Sequence, residues 1–267
     1  MPACVTLPRH RGDPRVISAV AAASPTLAPM TDSTAGVLIW DFDGTLAERP
    51  DRWCGAVDDA LTQVAGPHSF SRAEIRKALQ RAYPWHEPEV AHPELATADD
   101  WWERLAAVLA SRLGQLGVQP EVAMLAAAGV RAQYCRPDRW QLFPDTVSAL
   151  DKLSGLGWRH VLLSNHVPEL GEILAGLGLG GRFEAVLNSA VTGFEKPHPR
   201  AFALALASAG RPRVTWMIGD NPVADVGGAV AAGLRAILVR TSPPDPGIRH
   251  AAGLADIAAI VAAHSDR

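Results

Sequence analysis

The sequence predicts an α/β protein with a doubly wound, Rossmann-like parallel sheet and an all-helical insertion after the first strand. Three observations lead to this fold class. Short, continuous apolar runs of the kind that parallel sheets bury alternate with amphipathic helical segments in the second half of the chain. Polar residues directly follow several of these runs, at the sheet edge where open α/β proteins bind their ligands. Between residues 48 and 140 the pattern is helical, without a strand signal.

Residues 1–34 are expected to lie outside the folded domains. They are rich in Pro, Ala and Ser and show no sustained period. Basic residues followed by the apolar run 16–23 are also a feature of secretory signals, although this run is short and weakly apolar. We favour a disordered extension, or a stretch that precedes a functional start at Met30, and expect no chemistry from it.

The first strand is predicted over residues 37–40, and two aspartates follow it. Asp41 and Asp43 are separated by one residue, and Gly44 then turns the chain. Residues two apart in a strand point to the same side, so both carboxylates can reach one pocket. Burying two carboxylates is costly unless a cation or a reaction compensates. The plainer alternative is a strand-ending turn with Asp-Gly chemistry.

Residues 48–140 are predicted to form the helical insertion. The segment 71–74, Ser-Arg-Ala-Glu, has the form of a capping box, and the segment 97–100 opens a second helix. That second helix carries apolar residues at steps of three and four, namely Trp102, Leu105, Leu109, Leu113 and Leu116. A third, alanine-rich helix is predicted over about residues 120–135.

A long irregular loop rich in Pro, His and Trp is predicted from residue 83 to residue 95. Long loops in compact domains often carry function. Trp85 and His86 of this loop, with Trp101 and Trp102, could therefore line a substrate pocket. For Trp101 and Trp102 we favour the alternative that they pack between two helices.

Strands and helices alternate from residue 141 onward, which completes the doubly wound pattern. Strands are predicted over 160–163, 185–187, 214–218 and 236–239, with helices between them and a last helix from about residue 254. Residues 35–47 and 141–267 are therefore predicted to form one core domain, interrupted by the insertion.

Polar residues near the ends of the predicted strands should converge, because the carboxyl ends of parallel strands share one sheet edge. They are Asp41, Asp43, Ser164, Asn165, Lys196, Asp220 and Asp225. Two carboxylates about 4 Å apart repel by roughly 4 kcal/mol at an effective dielectric constant of about 20. Several carboxylates in one pocket therefore require a cation, and oxygen ligands favour Mg²⁺.

The remaining polar groups suit a phosphoryl group. The Ser164 hydroxyl and the N–H groups of the next helix can bind an anion, and Lys196 adds a positive charge. In such a site Asp41 attacks phosphorus and forms an aspartyl-phosphate. Asp43 protonates the leaving oxygen and later activates water. For Asn165 and His166 two roles stay open, shaping the anion loop or touching substrate.

Four motifs resemble, in this order, those of the haloacid dehalogenase (HAD) superfamily. They are Asp41-Phe42-Asp43-Gly44-Thr45, Ser164 after an apolar strand, Lys196-Pro197, and Gly219-Asp220 with Asp225. Each motif alone is of weak or moderate specificity, but the ordered set is strong and covers about residues 36–265. The resemblance implies a doubly wound core with a cap domain. Because the insertion is helical and lies between the first two motifs, it resembles the C1 helical cap of subfamily IA-like phosphatases.

The resemblance also implies a role for each motif residue. Asp41 corresponds to the nucleophile, and Asp43 to the acid/base whose main-chain carbonyl also binds Mg²⁺. Lys196 and Ser164 take phosphate-binding roles, with Asn165 beside them. The metal site implied by the resemblance consists of Asp41, Asp43, Asp220 and Asp225. Since the cap supplies specificity in this architecture, Trp53, Trp85 and His86 are predicted to face substrate from residues 48–140.

The expected function is that of a Mg²⁺-dependent phosphatase acting on a small phosphorylated metabolite. Asp43 favours phosphate esters, because the dehalogenating branch of the family lacks an aspartate at this position. A sugar-phosphate phosphomutase built on the same core is the main alternative. A non-catalytic binding protein is disfavoured because Asp41, Asp43, Lys196 and Asp220 are all present.

Composition excludes several other classes of protein. The 267 residues carry 25 Lys and Arg against 28 Asp and Glu, a net charge of −3, which offers no basic surface for nucleic acid. No apolar run reaches the roughly 18 residues that could span a membrane. The three cysteines are far apart and lack metal-ligand spacing, which is typical of a reducing compartment. We expect a cytoplasmic monomer or homodimer whose partners include neither nucleic acid nor a membrane.

Overall fold

A six-stranded parallel sheet forms the centre of the computed structural model, which describes residues 35–80, 83, 86–95 and 97–263. In chain order the strands are β1 (Gly36–Trp40), β2 (Ala47–Glu48), β3 (Gln141–Leu142), β4 (Trp158–Ser164), β5 (Ala185–Asn188), β6 (Thr215–Gly219), β7 (Arg235–Val239) and β8 (His250–Ala251). The central sheet has the order β5-β4-β1-β6-β7-β8, whereas β2 and β3 form a separate antiparallel pair. The predicted extension 1–34 lies outside the described residues.

Helices flank the sheet and fill the insertion. Within the described residues the α-helices are α1 (Arg52–Ala65), α2 (Arg72–Ala78), α3 (Ala98–Gln115), α4 (Pro120–Tyr134), α5 (Thr146–Gly155), α6 (Leu170–Gly176), α7 (Ser189–Thr192), α8 (Pro199–Ser208), α9 (Gly228–Ala231) and α10 (Ile257–Ala262). Short 3₁₀ turns cover Pro137–Arg139 and Leu254–Asp256, and a π-helical turn covers Pro222–Gly227. No helix among the described residues is long and apolar enough to cross a bilayer.

Strand β1 lies at the middle of the sheet, paired in parallel with β4 on one side and β6 on the other. Its side chains alternate between two apolar clusters. Leu38 and Trp40 belong to one cluster, and Val37 and Ile39 belong to the other. Because both faces of the strand are covered, all four side chains are fully buried. The doubly wound parallel core predicted from the sequence is confirmed.

Helices α2 and α3 of the insertion begin where the sequence predicts. The Ser71 main-chain N–H donates to the Glu74 carboxylate at 2.8 Å, and the Glu74 N–H donates back to the Ser71 hydroxyl at 3.3 Å, which completes a capping box at α2. The Thr97 hydroxyl caps α3 by accepting the Asp100 N–H at 3.1 Å. Trp101 and Trp102 of α3 are buried in the core, as favoured from the sequence.

Buried polar contacts attach the insertion to the sheet domain. Glu169 accepts a hydrogen bond from the Trp102 indole at 3.0 Å and another from the Arg131 guanidinium at 2.8 Å. On the predicted loop, the His92 ring nitrogen Nε2 lies 3.0 Å from the Glu195 carboxylate, and the His92 main-chain N–H donates to Gly193. Helix α3 and this loop therefore hold the insertion against the core.

The sequence missed several short or locally unusual elements. Helix α1 was not singled out, and its N-cap residue Asp51 and first residue Arg52 both lie in the left-handed region. Strands β2 and β3 pair Ala47 with Leu142 and Glu48 with Gln141. Two-residue strands carry no measurable period, so pattern analysis did not find them.

His160 in β4 is held as a neutral imidazole inside the core. The Trp40 indole donates to its Nδ1 at 2.9 Å, and its Nε2 lies 2.9 Å from the Ser154 hydroxyl. Burial lowers the pKa of His160 from 6.5 to about 4. His160 therefore takes up a proton at a lower pH in the folded protein than in the unfolded chain.

We expect the free energy of unfolding to fall as the pH drops from 6.5 toward about 4, the range between the unfolded and folded pKa values of His160. One pKa unit corresponds to about 1.4 kcal/mol, so this residue contributes roughly 3 kcal/mol to the loss. In His160→Gln, whose amide oxygen can still accept from Trp40, urea denaturation at about pH 7 and pH 4.5 should show a smaller difference. The same pH dependence in both proteins would contradict this interpretation.

Candidate active site

The polar residues predicted to converge are brought together at the carboxyl edge of the central strands. Asp41 directly follows β1, Ser164 ends β4, and Asp220 directly follows β6. Asp225 lies in the π-helical turn after β6, and Lys196 lies in the loop between α7 and α8. The two strands that pair with β1 therefore bring Ser164 and Asp220 beside Asp41.

Lys196 forms a buried ion pair with two carboxylates at once. Its ammonium donates to Asp41 Oδ1 at 2.7 Å and to Asp225 Oδ1 at 2.6 Å, and the three residues are at most 6% exposed. Burial by itself would lower the pKa of Lys196, but Asp225 and Asp41 outweigh it and raise the pKa above its usual value. The Lys196 ammonium is therefore positively charged near neutral pH.

The two oxygens of the Asp41 carboxylate have different surroundings. Oδ1 accepts from the Lys196 ammonium and also from the Ser164 hydroxyl at 3.0 Å. Among the described residues, Oδ2 accepts only from the Thr45 hydroxyl, at 3.4 Å, beyond the range of a strong hydrogen bond. The carboxylate is thus held by one oxygen while the other stays free to react.

Three carboxylates lie close together beside Lys196. Asp41, Asp220 and Asp225 each offer an oxygen within 4.8 Å of the others. Burial and the charges of Asp41 and Asp225 raise the pKa of Asp220 to about 7. Burial likewise raises the pKa of Asp225 to about 6, against the lowering influence of Lys196. Both burial and the neighbouring carboxylates therefore oppose ionisation of these two residues.

The donor set fits a hard divalent cation. All available ligands are oxygens, which suits Mg²⁺ better than a soft metal. Asp43 beside them has a buried carboxylate oxygen, Oδ1, without a hydrogen-bond partner among the described residues. A divalent cation would offset the mutual repulsion of these closely spaced carboxylates.

Two glycines of the predicted motifs make room for these carboxylates. Gly44 has a φ of +89°, and a Cβ at this position would overlap the Asp220 carboxylate. A Cβ on Gly219 would overlap the Asp225 carboxylate. At both positions only glycine permits the close approach.

Asn165 is hydrogen-bonded to the main chain of Lys196. Its side-chain oxygen accepts the Lys196 N–H at 2.7 Å, and its amide nitrogen donates to the Lys196 carbonyl at 2.9 Å. This two-point contact fixes the loop that carries Lys196. A phosphate contact by Asn165 stays a prediction, and it would use the second amide hydrogen or the main-chain N–H.

His166 packs behind the site. It is 2% exposed, and its ring lies 5.4 Å from Phe42 and 5.2 Å from Trp140, centroid to centroid. Burial lowers the pKa of His166 to about 4, so the ring is neutral near pH 7. It is not among the described residues that line the cavity, which favours the loop-shaping role over contact with substrate.

A cavity of about 320 Å³ opens onto the carboxylates. The core lines it with Asp41, Asp43, Ser164, Asn165, Lys196, Asp220 and Asp225, among others. The insertion contributes an outer wall of Arg52, Trp53, Pro88 and Tyr134. The rings of Trp53 and Tyr134 stack at 3.9 Å with 17° between their planes. This wall makes the outer part of the cavity aromatic, with one cation.

Of the three residues predicted to face substrate from the insertion, Trp53 lines the cavity. His86 is exposed, contacts the Tyr83 ring, and is not among the described lining residues. Trp85 lies outside the described residues. Sequence reasoning missed Arg52 and Tyr134, although Arg52 directly precedes Trp53 and Tyr134 is the aromatic end of an alanine-rich helix.

Comparison with known proteins gives a consistent picture. Residues 36–233 match the family model of haloacid dehalogenase-like hydrolases. The phosphoserine phosphatase of Thermus thermophilus is 34% identical over 232 residues, which cover 79% of this chain and 91% of that protein. Human haloacid dehalogenase-like hydrolase domain-containing protein 3 is 33% identical over 210 residues, 76% of this chain and 81% of the relative. The HAD hydrolase YfnB of Bacillus subtilis shares the fold, with a TM-score of 0.67 and 19% identity over 84% of this chain and 97% of that one.

Removing the Lys196 charge should destabilise the folded protein. We expect Lys196→Met to lose about 3–5 kcal/mol of unfolding free energy at about pH 8 without divalent metal, because two buried carboxylates lose their partner. Part of the loss should return at about pH 5.5, because the pKa of Asp225 is already about 6 and its carboxylate can take up a proton there. Lys152→Met, at an exposed position of α5, is the control and should change stability by less than about 0.5 kcal/mol. Denaturant titrations decide, and a loss no larger than the control's would refute the prediction.

Proposed function

The chain belongs to the haloacid dehalogenase-like hydrolases, and we propose that it is a Mg²⁺-dependent phosphatase that removes phosphate from a small phosphorylated metabolite. The observation that carries this proposal is the buried ammonium of Lys196 bound to Asp41, beside Asp43 and Asp220. A held nucleophile, an acid/base and an excess of carboxylates at one cavity suit phosphoryl transfer. The similarity to a phosphoserine phosphatase over most of both chains supports the same reaction class.

In the first step, Asp41 attacks the phosphorus of the substrate. Oδ2 is the attacking oxygen, because Oδ1 is occupied by Lys196 and Ser164. The bond between phosphorus and the ester oxygen breaks as the new bond to Asp41 forms, which yields an aspartyl-phosphate. Lys196 and Ser164 also stabilise the charge on the phosphoryl oxygens.

Asp43 is suited to move the protons of both steps. Burial raises its pKa to about 6, although Arg52 acts in the lowering direction. A carboxyl group with this pKa can donate a proton to the leaving oxygen and then accept one from water near neutral pH. The activated water attacks phosphorus, releases inorganic phosphate and regenerates the Asp41 carboxylate.

The metal site that we propose uses the same acidic residues. Asp41, Asp220 and the Asp43 main-chain carbonyl would hold Mg²⁺, with Asp225 as the further acidic residue of the site. Bound there, Mg²⁺ supplies positive charge that offsets the carboxylates and polarises the phosphoryl group. Both Asp225 oxygens already accept N–H groups, from Lys196 and from the Asn221 main chain, so its first task is to position the lysine.

We further propose that residues 35–47 and 141–267 form the core domain and that residues 48–140 act as its cap. The outer wall contributed by Arg52, Trp53, Pro88 and Tyr134 supports this division, since these residues can exclude water from the reacting phosphate. A reducing, cytoplasmic setting is the expected location, because Cys54 and Cys135 are free thiols.

The decisive experiment measures phosphate released from p-nitrophenyl phosphate with and without Mg²⁺. We expect metal-dependent turnover that falls at least about a thousandfold in Asp41→Asn, which keeps the size of the side chain but removes the nucleophile. Asp151→Asn, the same change on an exposed residue of α5, is the control and should keep full activity. Acid-quenched enzyme should carry phosphate on Asp41.

Either of two results would overturn the proposal. Turnover that survives in Asp41→Asn would mean that another group attacks phosphorus. Substrate that is consumed without release of an equal amount of phosphate would instead favour the phosphomutase.

A further inference from the structure

Arg52 adopts an unfavourable local arrangement at the start of α1. Its φ is +45° and that of Asp51 is +61°, both in the left-handed region that residues other than glycine rarely occupy. Its positive charge lies at the positive end of the helix dipole, and the first turn of α1 contains no acidic residue. Strain of this kind persists where surrounding structure enforces it, and it concentrates at functional sites.

A buried arginine enforces this arrangement. Arg49 is 3% exposed and donates to the Arg52 carbonyl at 2.6 Å and to the Gln133 carbonyl at 3.4 Å. Its guanidinium also lies 5.5 Å from the centre of the Tyr134 ring. The start of α1 is thereby fixed to the end of α4, and the Arg52 side chain is left to line the cavity.

Unlike Lys196, the Arg52 guanidinium has no carboxylate partner among the described residues. Lys196 is already bound to Asp41 and Asp225, whereas no ion pair among the described residues includes Arg52. A cation that lines a cavity without a carboxylate partner is available to a bound anion.

Arg52 and Asp43 line the same cavity. The core supplies the groups that act on the phosphate, and the insertion supplies Arg52, Trp53 and Tyr134. In the proposed reaction Asp43 protonates the ester oxygen, which belongs to the alcohol part of the substrate. The alcohol part therefore lies between Asp43 and the wall formed by Arg52, Trp53 and Tyr134.

We propose that Arg52 binds a carboxylate on the alcohol part of the substrate, so that the enzyme selects small phosphorylated acids. The inference rests on the proposed phosphatase function and deepens it. The guanidinium fork matches a carboxylate with two parallel hydrogen bonds. The stacked rings of Trp53 and Tyr134 cover the carbon atoms between the two anionic groups. A cavity of about 320 Å³ lies at the small end of the range for ligand pockets, which suits a small phosphorylated acid.

Matched substrate pairs test this assignment. O-Phosphoserine and O-phosphoethanolamine differ only by the carboxylate, and 3-phosphoglycerate and glycerol 3-phosphate differ by a carboxylate in place of an alcohol. We expect the protein to prefer the acid of each pair by about tenfold or more in kcat/KM, and Arg52→Gln to abolish most of that preference, chiefly through KM. Because the readout is a ratio within each pair, a general loss of activity divides out.

The control is Arg104→Gln, an exposed arginine of α3 that does not line the cavity and should keep the original ratio. An equal loss for both members of each pair would overturn the proposal, because Arg52 would then act on the phosphate or on Asp43. Absence of a preference for the acids would overturn it as well. A preference for a bisphosphate that depends on Arg52 would also overturn the proposal, because the group bound by Arg52 would then be a second phosphate.

Calorimetry separates this inference from the proposed function. Asp41→Asn cannot form the aspartyl-phosphate, so its binding of 3-phosphoglycerate and of glycerol 3-phosphate is measurable without turnover. Adding Arg52→Gln should weaken binding of the acid about tenfold more than binding of the alcohol. If the natural protein hydrolyses no phosphate ester, the phosphatase proposal fails, and the difference in binding still decides whether Arg52 recognises a carboxylate.

Discussion

The Lys196 ammonium, buried between Asp41 and Asp225, is the interaction on which the rest of the site depends. Two carboxylates about 4 Å apart repel by roughly 4 kcal/mol at an effective dielectric constant of about 20, and here a third, Asp220, lies close to both. One lysine does not balance the charge of three carboxylates. Burial, together with the charges of Asp41 and Asp225, raises the pKa of Asp220 to about 7. The folded chain therefore concentrates negative charge at one sheet edge. A divalent cation would offset this charge, and the proposed reaction would take place there.

The surroundings of this ion pair follow from the need to bring charged groups close and keep them there. Gly44 and Gly219 lack the Cβ atoms that would displace the Asp220 and Asp225 carboxylates. Asn165 binds both main-chain groups of Lys196, so the lysine approaches Asp41 from a fixed loop. The same contacts leave Asp41 with one oxygen, Oδ1, that accepts hydrogen bonds from Lys196 and Ser164. The other oxygen, Oδ2, is the one that attacks in the proposed reaction. Stability and reactivity are thus set by one group of contacts.

In the proposed function the insertion provides selectivity. It is joined to the core by buried contacts, including the His92 and Glu195 side chains 3.0 Å apart, directly beside Lys196. Its outer wall contains the strained Arg52 and the stacked rings of Trp53 and Tyr134. In the proposed reaction the core acts on phosphorus, which all candidate substrates share, and the insertion contacts the part in which they differ. That division explains why the motifs identify the family without identifying a substrate.

The sequence by itself determined the strands β1, β4 and β6, the starts of α2 and α3, and the convergence of Asp41, Ser164 and Asp220 at one edge. These features follow from local rules, namely residue periodicity, helix capping and the common direction of parallel strands. Only the tertiary structure decided that Arg52 and Tyr134 line the cavity, that His86 does not, and that Asn165 binds the Lys196 main chain. These outcomes depend on contacts between distant parts of the chain, such as Arg49 with Gln133, which lie 84 positions apart. Such contacts leave no period in the sequence, because the fold alone brings their two sides together.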